Sequence, residues 1–90
     1  MLEIVLGNQF KRDLKLAVKR GYDLSLLESV VERLAGGETL PAHNRDHALT
    51  GKYSGFRECH ILPDWLLVYR AEEELSVLFL TRTGTHADLF

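Results

Sequence analysis

Histidine, aspartate and arginine gather in the second half of this 90-residue chain, at His60, Asp64, Arg82 and His86, with His47 shortly before them. A free imidazole titrates near pH 6.5, so histidine can take a proton in one step and return it in another. The planar fork of arginine grips paired phosphate oxygens. This set suits acid–base chemistry on a phosphate. Cleaving RNA without a metal needs only such parts: a base for the 2′-OH proton, a cation for the extra charge on the phosphorane, and an acid for the leaving 5′ oxygen. DNA lacks the 2′-OH and would escape. A solvent-accessible aromatic, Trp65 or Phe90, would stack on a base. His43 and His47 stand four apart, a metal-ligand spacing only on a helix, and Pro41 with Asn44-Arg45-Asp46 argues against one; adding Cys59 or His60 makes no familiar zinc pattern. No metal and no cofactor is expected. A single histidine on a sheet face is more often structural than catalytic, so the case rests on convergence.

Convergence depends on the elements that carry these residues. Leu2-Glu3-Ile4-Val5-Leu6 reads as a short strand ended by Gly7-Asn8, with Asn8 the expected cap of a helix over Gln9 to Arg20. In that helix Phe10, Leu14, Ala17 and Val18 form an apolar face, and Lys11, Lys15 and Lys19 a basic stripe suited either to solvent or to phosphates. Asp23 or Ser25 caps a second helix, with Leu26, Leu27, Val30, Val31 and Leu34 on its apolar face and Gly36-Gly37 at its end. The short link predicts a helical hairpin. Glu38 to Gly55 reads as loop and turn. The remainder reads as a three-strand meander with turns at Pro63-Asp64 and Glu72-Glu73. In that register Ile61 faces Leu66, His60 faces Leu67 and Glu58 faces Tyr69. Cys59, Ile61, Leu66, Val68, Val77 and Phe79 then form the face on the helices, while Glu58, His60, Trp65, Leu67, Tyr69, Leu78, Leu80 and Arg82 face outward. Arg82 falls beside the Pro63-Asp64 turn.

Composition sets the bounds. Hydrophobic residues make up 46% of the chain, enough for a core, and one cysteine leaves no internal disulfide. A single domain over residues 1–90 is expected, in a reducing cytoplasm, with no membrane segment. The net charge of −2 argues mildly against nucleic acid, but the positive charge is concentrated in the first helix.

The segments His47-Ala48-Leu49-Thr50-Gly51, Gly55-Phe56-Arg57-Glu58-Cys59-His60-Ile61-Leu62-Pro63-Asp64-Trp65-Leu66-Leu67-Val68-Tyr69 and Arg82-Thr83-Gly84-Thr85-His86-Ala87-Asp88-Leu89-Phe90 resemble the YafQ branch of the RelE/ParE toxin superfamily. The resemblance spans the whole chain. It implies an α+β, RelE-like fold in β-α-α-β-β-β order, with a two-helix hairpin on one face of a small, mainly antiparallel sheet. It implies a toxin of a type II toxin–antitoxin system, a ribosome-dependent mRNA endonuclease that cuts the A-site codon without metal and leaves a 2′,3′-cyclic phosphate. The implied partners are the ribosome with its mRNA, and a ribbon-helix-helix antitoxin of the DinJ/RelB kind, through which alone the toxin would meet operator DNA. Matched positions make His47, His60, Asp64 and His86 the acid–base group, with His86 as acid and His60 or Asp64 as base. Arg82 matches the phosphate-stabilising arginine, and Trp65 and Phe90 lie near the scissile nucleotide. Lys11, Lys15 and Lys19 would meet ribosomal RNA. Gyrase inhibitors share the fold, so the alternative is a non-catalytic member that binds its antitoxin or gyrase.

Overall fold

The computed structural model describes all 90 residues. Strand β1 (Glu3–Leu6) leads into helices α1 (Asn8–Lys19) and α2 (Leu24–Ala35). After a loop come β2 (His47–Ala48), β3 (Arg57–Leu62), β4 (Trp65–Glu72) and β5 (Val77–Gly84), then a single helical turn, α3 (His86–Leu89). They form one five-stranded sheet in the order β1-β5-β4-β3-β2. Only β1 pairs in parallel, with β5; the other pairs are antiparallel. The expected α+β architecture is what the chain adopts, extended by β2 and α3. Gly7, not Asn8, is the cap of α1, whereas Asp23 caps α2 through its carboxylate and the Ser25 amide.

The register departs from the one read along the sequence, and the reason is two bulges. Leu62 does pair with Trp65, but the ladder shifts at Ile61, so His60 pairs with Leu66, Cys59 with Leu67 and Glu58 with Val68. A second irregularity, at Thr81, brings Arg82 opposite Val68 and Leu80 opposite Tyr69. The β4–β5 turn also comes later: Glu72 is the last residue of β4, a helical turn spans Glu73–Leu75, and Phe79 pairs with Arg70. A shift of one residue exchanges the faces of a strand. Trp65, Leu67, Tyr69, Leu78 and Leu80 therefore point into the helix-covered core with Cys59, Ile61, Phe10, Leu27, Val31 and Leu34. Leu66 and Val68 point the other way, into a smaller cluster with Leu89, Leu49, Tyr53 and Phe56.

Candidate active site

The register assembles the site in rows across the sheet. His47 pairs with Glu58, Glu58 with Val68, and Val68 with Arg82. The next row holds His60, Leu66 and Gly84. Paired residues point to the same side, so Glu58, His60 and Arg82 share the face opposite the helices. Glu58 and Arg82 are two strands apart, about 10 Å between backbones, with buried Val68 between them.

Each of three histidines is tied at Nδ1 to an oxygen. His47 Nδ1 lies 2.7 Å from the Arg45 carbonyl. His60 Nδ1 lies 3.3 Å from the Pro63 carbonyl. His86 Nδ1 lies 2.7 Å from Asp64 Oδ1, which also accepts the His86 backbone N–H at 2.9 Å. An oxygen acceptor fixes the proton on Nδ1 and frees Nε2 for chemistry. The free Nε2 atoms of His47 and His60 stand 3.7 and 3.5 Å from the same Glu58 oxygen. The His60 and His86 rings meet edge to face at 5.6 Å. Glu58, 4% exposed, is thus the hub of the group. Sequence reading put it on the face of His60 by alternation but gave it no role, because its second partner comes from β2, which reads as loop.

His86 is held from both sides. Thr85 and Asp88 close a capping box over α3. Arg20, at the end of α1, donates to both Asp88 oxygens at 2.6 and 3.1 Å. The Arg20 guanidinium and the Thr85 amide hold the Asp88 carboxyl well below the usual carboxylate range. A β-carbon at Gly84 would stand 2.8 Å from Asp88 Oδ2, so this close approach requires glycine.

The two N–H groups of His86, backbone first and then imidazole, also lower the Asp64 pKa. A depressed carboxylate contributes stability that is complete above its unfolded value, about 3.9, and is lost as pH falls through the lower folded value. The stability difference between wild type and Asp64→Asn is therefore expected to shrink as pH falls below about 4. Urea unfolding across about pH 3–5 measures it; a difference that stays constant down to about pH 3 would contradict this tie.

Arg82 does not sit beside the Pro63-Asp64 turn, as the unbulged register had it. Its Nε and Nη2 donate to Asp13 of α1 at 2.8 and 3.3 Å, and the same carboxylate accepts the Thr83 amide at 3.1 Å. Strand β1 ends at Leu6, opposite Leu80, so it leaves the upper edge of β5 open, and Asp13 closes it. Asp13, followed by Tyr53, raises the Arg82 pKa.

Trp65 is a correction. It is 1% exposed, packs on Tyr22 and donates from Nε1 to Thr83 Oγ1 at 2.9 Å, so it offers no face to a nucleobase. Its place on the solvent side belonged to the unbulged register. Trp65→Phe is expected to lower stability by about 1–3 kcal/mol, from the lost hydrogen bond and volume; unchanged unfolding in urea would reject the core role. Phe90 does remain accessible, at 62% exposure, edge-on to Tyr53 at 5.6 Å. Tyr53, beside both Phe90 and Arg82, carried no signal in its loop sequence. Lys11, Lys15 and Lys19 are exposed and have no acidic partner within 4 Å. Cys59, wholly buried, has its thiol pushed up to about 12 by burial and stays out of the site.

A sheet face bearing tied histidines around a buried carboxylate, with an anchored arginine in the same row as that carboxylate, carries groups able to move protons and hold an anion. The model of the family described as bacterial toxin of type II toxin–antitoxin system, YafQ, matches residues 2–90. The mRNA interferase toxin YafQ of Escherichia coli (strain K12) is 40% identical over 89 residues, 98% of this chain and 95% of that protein. A metal-bound toxin from Helicobacter pylori is 47% identical, with both chains fully covered and a TM-score of 0.94. The toxin in the E. coli DinJ–YafQ complex is 38% identical, with a TM-score of 0.90 over 100% of this chain and 99% of that one. The chain belongs to the YafQ family of type II toxins. No helix is long and apolar enough to cross a membrane.

Proposed function

We propose that this chain is an mRNA interferase that cuts the ribosomal A-site codon by attack of a 2′-OH on the adjacent phosphate. The observation that carries the reading is the Nδ1 tie on His47, His60 and His86, which leaves their Nε2 atoms free. His60 takes the 2′-OH proton, backed by Glu58 and His47, which stand around it. O2′ bonds to phosphorus, and Arg82 stabilises the added charge. The P–O5′ bond breaks as His86 gives O5′ a proton, leaving a 2′,3′-cyclic phosphate and a 5′-OH. Asp64, already spent on two His86 N–H groups, orients the acid rather than serving as the base. Phe90 meets the flanking base, and the free lysines of α1 meet ribosomal RNA.

The protein acts in the cytoplasm and is held in check by a small antitoxin, as the DinJ–YafQ complex suggests; the pair meets operator DNA through the antitoxin. The test is mRNA programmed into ribosomes, with 3′ ends read after exposure to wild type and variants. Cuts in the A-site codon ending in cyclic phosphate support the reading. No cuts by a folded protein would favour a toxin that only binds, with gyrase as the next target.

One observation favours a second property of this site. Glu58, His60 and His86 offer ligand atoms within 4.8 Å of one another, and a similar toxin is metal-bound. Two imidazoles and a carboxylate fit copper or zinc. These ligands are the proton-transfer groups, so metal and catalysis compete. Copper is expected to stop cleavage and a chelator to restore it, with a copper(II) resonance signal that His60→Ala removes. Cleavage abolished by chelator would instead make metal part of the chemistry.

A further inference from the structure

The cleft of about 570 Å³ on the other side of His60 takes no part in the scheme above. Arg45, His43 and His60 line it, with Leu26 and Ile61 among its apolar walls. A second cleft shares Leu26, His43 and Ile61 with the first and extends to Arg33 on α2. The two adjoin along these shared residues, and we treat them as one groove with His60 at its first end. Its charged and titratable lining is Arg45, His43, His60 and Arg33, with no carboxylate, although the chain has 13 acids against 11 lysines and arginines. Neither Arg33 nor Arg45 has an acid within 4 Å, and both are exposed.

The groove is also built. Buried Asn44 donates to the His60 carbonyl at 2.7 Å, pinning the Pro41–Arg45 wall to β3. Arg45 adopts the left-handed conformation, at φ 49°, uncommon outside glycine. That conformation ends the Ala42–Asn44 turn, and the Arg45 carbonyl takes His47 Nδ1 while its side chain lines the groove. Unpaired arginines beside an apolar wall suit a nucleotide, phosphate on the cation and base on the wall.

We infer that this groove carries the substrate strand away from the scissile phosphate, with Arg45 and then Arg33 receiving successive backbone phosphates. The inference rests on the cleavage reading and assigns a subsite to it. One binding residue belongs to both places: His60 stands at the reacting phosphate and at the mouth of the groove. His43, also exposed, lines both clefts and can donate a hydrogen bond to a phosphate there.

The test uses ribosomes programmed with mRNA carrying a neutral methylphosphonate, placed singly at each of the two phosphates on either side of the scissile one. With unmodified mRNA, Arg45→Ala is expected to lower kcat/KM about tenfold, the value of one charge-assisted contact, mainly through KM. At one flanking position the methylphosphonate should cost wild type a similar factor and Arg45→Ala nothing further. Arg33→Ala should show the same pattern one phosphate beyond. Wild-type kinetics in both variants would overturn the inference while leaving the cleavage reading intact. Losses that persist undiminished on every methylphosphonate would overturn it too, assigning the arginines to ribosomal RNA. A wild type that does not cut unmodified mRNA would fail the underlying reading and take the subsite with it. Both side chains are exposed and make no ion pair or hydrogen bond, so neither variant should unfold.

Discussion

Replacing His86 with alanine is expected to slow cleavage of ribosome-bound mRNA by roughly 10²–10⁴-fold, the usual range for a positioned acid or base. The structure concentrates support on this residue. Asp64 accepts both its backbone and ring N–H, and Asp88 fixes the turn it opens, itself gripped by Arg20. The imidazole is half exposed, so truncation should leave the fold intact. With Nδ1 tied to Asp64, its Nε2 makes no hydrogen bond within the protein, as a proton donor to substrate requires. Single-turnover rates across pH give the measurement. A retained rate in a folded His86→Ala protein would remove His86 from the chemistry. A loss matched by Asp64→Asn only in part would agree with an orienting role for Asp64.

Arg82→Ala is expected to cost about 2–4 kcal/mol of transition-state stabilisation, roughly 30- to 1000-fold in kcat/KM. Asp13 uses Nε and one Nη2 hydrogen, which leaves Nη1 for the phosphorane oxygens. That anchoring costs nothing at the moment of reaction, which is the condition for a large electrostatic effect. Lysine at this position keeps the charge but loses the fork, so it should recover little of the rate. Asp13→Ala is expected to slow cleavage as well, by freeing Arg82 to wander and leaving the Thr83 amide unpaired. A small effect of Arg82→Ala, with unfolding unchanged, would reject contact with the reacting phosphate.

The two experiments also separate chemistry from seating on the ribosome. His86 and Arg82 variants should bind ribosomes as wild type does. Substitution of Lys11, Lys15 or Lys19, exposed along α1, would act on binding and its salt dependence.

The sequence by itself determined the elements and the chemistry available to them. Helical spacing in α1 and α2 and alternation in β3 to β5 are local properties of the chain, so they were legible without a partner. So was the company of Glu58 and His60 on one face, since residues two apart on a strand must share it. The Pro63-Asp64 turn was legible because proline and aspartate favour that turn for their own backbone reasons.

Only the tertiary structure decided which residues meet. The bulges at Ile61 and Thr81 exchanged the faces of Trp65, Leu66, Leu67, Val68 and Tyr69, turning a supposed stacking platform into core. A bulge is chosen by packing against the neighbouring strand and the helices, and no residue in these stretches announces it. The hub at Glu58 needed β2, a two-residue strand too short to leave a pattern. The pairs Asp13–Arg82 and Arg20–Asp88 lie 69 and 68 residues apart along the chain. Side-chain chemistry is written residue by residue, but such distances close only when α1 lies along the open edge of β5, and that is settled by burial of the core as a whole.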